Sequence, residues 1–298
     1  MAVQLEVAYS ASIIGTGVVA GGPFMCAQGN INNALLGCMS MPSQINLKSI
    51  DQKVSGSGKK IDDISNMADH KVYIYSGTKD STVKPGVVEK LQTQYEDFFG
   101  VSDIKTEYQI PSQHAWITDS YGNDCAFSGS PYMNNCDYDQ AGAILKHIYG
   151  DDIQEPVDQV KNNLIEFNQS KFTTSGDGLS DKGYYYVPSS CQNGESCKLH
   201  IALHGCQMTL ADIGTDFVAN SGLNEWAENN NIIVLYPQIK KSFYNPSNPN
   251  GCFDWWGYTQ SSLSFGAVDY ATQDGKQMKA IWKMVKSIVP QESLDIFE

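Results

Sequence analysis

Apolar positions fall into two kinds of run along the chain. Lys71-Val72-Tyr73-Ile74-Tyr75 and Ile232-Ile233-Val234-Leu235-Tyr236 are continuous and β-branched or aromatic, which predicts strands buried on both faces. Leu199-His200-Ile201-Ala202-Leu203 and the glycine-rich run Gly15 to Gly22 predict two more, with weaker strands at Lys105 to Ile110, Leu164 to Phe167 and Gly183 to Val187. Between them the apolar residues return at helical spacing. Helices are predicted over Met1 to Ala8, about Val87 to Phe99, Ala141 to Tyr149, Thr215 to Asn229 and Ala267 to Ile288. Strand and helix alternate, so the fold class is α/β, read as a single domain over 1–298. The acidic stretch Asp151 to Val157 marks a seam between a half covering 1–150 and a half covering 151–298.

The chain opens in the middle of helical sequence, Met1-Ala2-Val3-Gln4-Leu5-Glu6-Val7-Ala8, with no capping residue and no basic region ahead of an apolar core. The expectation is that residues upstream of Met1, a signal peptide among them, are missing. The longest glycine-interrupted apolar stretch, Ile13 to Phe24, is shorter than the roughly 18 residues a membrane span requires.

Composition narrows the partners. The 298 residues are 41% hydrophobic and 18% charged, enough apolar matter for a large core. The net charge of −13 repels nucleic-acid phosphates and anionic lipid, and it suits a neutral substrate. Of eight cysteines, the first six form close sequential pairs that bound short polar loops: Cys26 and Cys38, Cys125 and Cys136, Cys191 and Cys197. That spacing predicts local disulfides and an oxidising, extracellular compartment. The competing reading is zinc, for which only Cys191, Cys197 and His200 lie near one another; Cys206 and Cys252 could be buried thiols. A sequon, Asn168-Gln169-Ser170, is compatible with secretion.

Asp80 and His114 each follow the end of a predicted strand, where α/β sheets carry catalytic groups. Their separation leaves room for a strand–helix–strand unit, and a buried Asp that orients a His is the support half of a serine triad. Against this stands a solvated loop Asp and an unrelated His. A third strand runs into His204-Gly205-Cys206, the kind of turn where α/β-hydrolases place a backbone N–H of the oxyanion hole, although a tight turn needing Gly205 would look the same. The nucleophile elbow G-x-S-x-G occurs nowhere; Gly178-Leu179-Ser180 and Gly100-Val101-Ser102 lack the closing glycine. The elbow belongs just before a helix leading to the strand that precedes the Asp strand, and the chain begins with that helix. The serine is therefore expected a few residues ahead of Met1, and the fragment 1–298 alone is expected to be inactive. Because the His-Gly strand follows Asp80 and His114, the order reads as a circularly permuted α/β-hydrolase fold that lacks its N-terminal nucleophile strand and elbow.

The motifs Val7-Ala8-Tyr9-Ser10, Ala20-Gly21-Gly22-Pro23, Ser76-Gly77-Thr78-Lys79-Asp80, Ser130-Pro131-Tyr132, Tyr186-Val187-Pro188, Ala202-Leu203-His204-Gly205-Cys206 and Asn248-Pro249-Asn250-Gly251-Cys252-Phe253-Asp254-Trp255 carry a resemblance. Over essentially its whole length the chain resembles the single-domain, fungal-type extracellular poly(3-hydroxybutyrate) depolymerases. The resemblance implies Asp80 as triad acid, His114 as general base, the Cys206 N–H as one oxyanion donor and a fourth disulfide between Cys206 and Cys252. It implies Trp255 as a wall of the substrate crevice, against the alternative of a core tryptophan, with Trp256 beside it. It implies a secreted, monomeric serine esterase acting on a polyester or oligoester, with no metal or organic cofactor. The rivals are a feruloyl- or acetyl-type polysaccharide esterase and a non-catalytic secreted protein that binds polymer through Trp255 and Trp256.

Overall fold

The computed structural model describes residues 1–150, 152–260 and 268–288. By packing, these residues divide into two compact units. One is Met1–Ala115 with the described part of Asp254–Lys279; the other is Trp116–Phe253 with the described residues from Ala280 onward.

The first unit carries helix α1 (Ala2–Ala8), strand β1 (Gly15–Val19), helix α2 (Leu47–Ser55), strand β2 (Lys71–Tyr75), helix α3 (Pro85–Asp97) and strand β3 (Asp103–Glu107). The strands form one parallel sheet in the order β1-β2-β3. β2 is central, and Val72, Tyr73, Ile74 and Tyr75 are all buried, which is why its sequence is an unbroken apolar run. α3 starts on Pro85, whose missing N–H costs nothing at a first helical turn, and it buries Val87, Val88, Leu91, Gln94 and Tyr95 at helical spacing.

α1 is buried from Val3 to Ala8 and brings a carboxylate, Glu6, into this core. Glu6 Oε1 lies 3.1 Å from His70 Nδ1, and the Tyr95 hydroxyl donates to Glu6 Oε2. His70 Nε2 donates to the Ser10 carbonyl oxygen at 3.1 Å.

The second unit has two sheets. A small parallel sheet is built from β4 (Trp116–Thr118), β5 (Asn123–Asp124) and β6 (Met133–Asn135), in the order β4-β6-β5. Helix α4 (Gln140–Tyr149), β7 (Leu164–Asn168), β8 (Lys182–Tyr186), α5 (Ser189–Gln192), β9 (Lys198–Ile201), α6 (Leu210–Ile213), α7 (Asp216–Asn220), α8 (Leu223–Glu228) and β10 (Ile232–Tyr236) follow. The larger sheet runs β7-β8-β10-β9; its first two pairings are antiparallel and β10 with β9 is parallel. Its core gathers Leu145, Tyr186, Phe217, Trp226, Val234 and Tyr236. Asp139 caps α4 through Gly142 N at 2.7 Å and accepts from Trp226 Nε1 at 2.8 Å, joining a helix start to that core. Helix α9 (Lys276–Ile288) closes the described chain.

Three expectations are corrected. The helix over Thr215 to Asn229 is two helices, α7 and α8, because Gly222 between them takes φ 83°, a left-handed conformation that ends a helix. The last helix begins at Lys276 rather than Ala267; Asp269–Ala271 is a 3₁₀ turn, and Ala267 itself lies outside the described residues. The strand expected over Lys105 to Ile110 is β3, displaced to Asp103–Glu107, and its side chains are largely exposed because it lies at the sheet edge. The seam expected at Asp151 starts on a residue outside the described ones.

All eight cysteines are paired: Cys26–Cys38, Cys125–Cys136, Cys191–Cys197 and Cys206–Cys252, with Cα separations of 6.0, 4.7, 6.0 and 4.3 Å. Cys191 and Cys197 are bonded to each other, which removes the thiolates that a zinc site with His200 would need.

Candidate active site

β2 and β3 are neighbours in register, Tyr75 opposite Glu107, so the loops that leave them emerge side by side. The loops are laced together: Thr78 N donates to Ile110 O at 2.9 Å and Lys79 N to Ser112 O at 3.2 Å. The hydroxyls of Tyr75 and Ser112 are hydrogen-bonded beneath them. Gly77 permits this approach, since a Cβ there would run into the backbone carbonyl and hydroxyl of Ser112. Gly77→Val is expected to push the loops apart and lower kcat/KM about 10²-fold, the scale of a 1 Å misplacement. Steady-state kinetics beside a thermal melt check this; unchanged kinetics would show that the lacing does not set the site.

The two loops deliver Asp80 and His114 to one place, as their positions after consecutive strands predict. His114 Nδ1 lies 2.8 Å from Asp80 Oδ2. The other carboxylate oxygen, Oδ1, accepts from Thr82 N and Val83 N, each at 2.9 Å. The Asp80 side chain is 1% exposed and that of His114 is 33% exposed. A carboxylate fixed by two peptide N–H groups cannot rotate, so it pins Nδ1–H of the imidazole and leaves Nε2 as the nitrogen able to take a proton. Ser81 N and Oγ both donate to Gln113 Oε1, at 3.2 and 2.9 Å, a second latch between the residues next to the pair. Sequence reasoning missed this latch; adjacency to Asp80 and His114 was its only signal.

Trp255 and Trp256, in the same unit, stand T-shaped with ring centroids 5.2 Å apart, and Tyr258 leans on Trp256 at 4.9 Å. Both indoles are half-buried, so neither is a closed core residue.

In the second unit β9 ends at Ile201 and the chain turns through His204-Gly205-Cys206. Cys206 is exposed and tied to Cys252, and Gln207 N donates to Asn250 O at 2.7 Å, which holds the turn. His204, read in the sequence only as part of the His-Gly turn, is buried. Its Nδ1 donates to Gly205 O at 2.8 Å while Nε2 accepts from Ile239 N at 3.2 Å. Both nitrogens are satisfied in the neutral form, and burial lowers the pKa from 6.5 to about 4. Below about pH 6.5 an unfolded chain binds this proton and the native one does not. Stability is therefore fully present above that pH and falls as the pH drops toward 4, by on the order of 3 kcal/mol for this group. Tm measured from pH 7 to 4 should fall less steeply in His204→Gln; an identical slope would refute the assignment.

No family model matches the chain. A polyhydroxybutyrate depolymerase from Talaromyces funiculosus is 39% identical over 305 residues, covering 97% of this chain and 86% of that protein. The chain belongs to the polyhydroxybutyrate depolymerase family. A poly(3-hydroxybutyrate) depolymerase from Delftia acidovorans is 42% identical over 294 residues; there the chain spans 57% of the relative's length. Among solved structures, a polyhydroxybutyrate depolymerase with a serine-to-alanine substitution and a bound R3HB trimer superposes with a TM-score of 0.83 at 34% identity, over 96% of this chain and 91% of the other. The crystal structure of the polyhydroxybutyrate depolymerase from Penicillium funiculosum gives 0.83 at 32% identity, over 95% and 90%. With these depolymerases the chain shares a mixed α/β fold of the α/β-hydrolase type.

Proposed function

We propose that the protein is a secreted serine esterase that hydrolyses poly(3-hydroxybutyrate) or its oligomers. The observation that carries this reading is the Asp80–His114 pair, a sunken carboxylate under an imidazole whose far side reaches solvent. Family membership and the trimer bound to a solved relative support the substrate class. The four disulfides support export, and among the described residues no helix is long and apolar enough to cross a membrane.

In this reading a serine hydroxyl attacks the ester carbonyl carbon while His114 Nε2 takes its proton, and Asp80 stabilises the imidazolium. The Cys206 N–H is the proposed donor to the developing oxyanion, worth about 2.7–4 kcal/mol in comparable sites. The C–O bond to the leaving alcohol breaks as the alcohol takes the proton from His114. Water then attacks the acyl-enzyme, His114 again accepting the proton, and the acid is released. Trp255 and Trp256 are the proposed substrate contacts.

No serine among the 298 residues stands in G-x-S-x-G, so labelling must identify the nucleophile. The test is release of soluble 3-hydroxybutyrate oligomers from polyester film, with a fluorophosphonate used to label the nucleophile and peptide mass to place it. Turnover confined to feruloyl or acetyl polysaccharide esters would overturn the substrate.

A further inference from the structure

Asp254 is a buried carboxylate that the ester chemistry does not use, 1% exposed as a residue. Its partners are the peptide groups immediately downstream. Oδ1 accepts from Gly257 N at 2.6 Å and Tyr258 N at 2.9 Å. Oδ2 accepts from Thr259 N at 3.0 Å and Thr259 Oγ1 at 2.6 Å. Between Asp254 and the first of these donors stand only Trp255 and Trp256. The carboxylate therefore closes a loop whose entire span is the two indoles.

The loop is also fastened from outside. Asp254 N donates to Gln277 Oε1 at 2.7 Å, and Gln277 Nε2 reaches the Tyr258 hydroxyl at 2.7 Å. The Asp254 carbonyl accepts from Gln4 Nε2 of α1 at 3.0 Å. Burial raises the pKa of Asp254, and the bonds from Thr259, Gly257 and Tyr258 act against that rise.

We infer that Asp254 is a positioning residue for substrate binding, its carboxylate holding Trp255 and Trp256 in the T-shaped arrangement that meets the ester chain. This rests on the proposed reading of the two tryptophans as substrate contacts. Half-buried indoles are not fixed by packing alone, and bonds to a charged acceptor are about twice as strong as neutral ones. A wall ordered before binding spares the ordering of two large side chains on binding, which amounts to roughly tenfold in affinity.

Asp254→Asn keeps the shape but turns one acceptor oxygen into an amide that faces N–H donors. The probes are the exciton couplet of the Trp255–Trp256 pair in circular dichroism, identified by its loss in Trp256→Phe, and the Kd of an R-3-hydroxybutyrate trimer. The expected result for Asp254→Asn is loss of the couplet and binding weakened about tenfold. A folded variant with the parent's couplet and Kd overturns the inference. Loss of the couplet with unchanged Kd refutes the tryptophans as substrate contacts while leaving Asp254 as what orders them. If Asp254→Asn fails to fold, Thr259→Val removes a single donor. It should diminish both signals, and Thr259→Ser should restore them; a Thr259→Val protein indistinguishable from the parent overturns the inference.

Discussion

Asp80→Asn is expected to lower kcat on a soluble 3-hydroxybutyrate oligomer by about 10⁴-fold with little change in KM. The direction follows from which oxygen holds which partner. Oδ1 accepts from the Thr82 and Val83 peptide N–H groups, so the carbonyl oxygen of an Asn stays there. Its amide nitrogen then occupies the Oδ2 position, 2.8 Å from His114 Nδ1, where an N–H must donate. Nδ1 is forced to accept, the proton moves to Nε2, and the nitrogen that should take the serine proton already carries one. The fold has no reason to change, so the loss is one of tautomer rather than of structure. His114→Ala removes the base outright and should cost at least as much. Steady-state kinetics, with melts showing both variants folded, checks this. Retention of activity within tenfold by Asp80→Asn would show that the pair is not the acid–base machinery.

The second large effect is on stability. Glu6→Ala should destabilise the protein by about 3–5 kcal/mol, the scale for breaking a buried, hydrogen-bonded ionic pair. That corresponds to a fall in Tm of roughly 6–20 °C for a chain of this size class. Glu6 is fully buried, and burial raises its pKa, with the His70 and Tyr95 bonds opposing the rise. Because His70 Nε2 donates to Ser10 O, the link between Glu6 and His70 shares one proton, and the cluster stays satisfied whichever side holds it. Alanine strands the imidazole nitrogen and the Tyr95 hydroxyl in a buried site. Glu6→Gln, which keeps the volume and one acceptor for Tyr95, should cost less. A Glu6→Ala melt within a degree or two of the parent would show that the cluster contributes nothing.

The legible parts of this fold are those where burial imposes a pattern. β2 and β10 match the apolar runs to the residue, because β2 is central in its sheet and β10 lies between β8 and β9. β3 is an edge strand of mostly exposed side chains, and its pairing rests on backbone bonds that leave no trace in side-chain type. The three short strands β4, β5 and β6 carry two or three residues each, too few for any period to register. The break between α7 and α8 depends on the backbone of one glycine in sequence that otherwise reads as helix. At the site, Asp80 and His114 were legible because they follow strand ends. Glu6, Gln113 and Asp254 were not, since their roles depend on groups brought near by folding. Asp254 shows this most sharply: its partners sit three to five residues on, yet nothing in Trp-Trp-Gly-Tyr-Thr announces that a carboxylate will collect their N–H groups.

The lacing between the loops after β2 and β3 also sets which length changes the chain can absorb. Between Tyr75 and Asp80, and between Glu107 and His114, the arms are joined where Ser76 N meets Glu107 O, Thr78 N meets Ile110 O and Lys79 N meets Ser112 O. One residue added to either arm would move Asp80 or His114 about 3.3 Å along the chain, farther than a hydrogen bond can stretch. The connection between the arms is under no such count. α3 is held by its buried face, but the exposed turn that follows it, at Gly100 and Ser102, could lengthen at a closure cost of only about 0.6 kcal/mol per doubling. Insertions should therefore be tolerated at the exposed turn around Gly100 and Ser102 and rejected within a few residues of Asp80 or His114, so that in a library of random insertions the proposed acid–base pair would fall in a gap among the survivors.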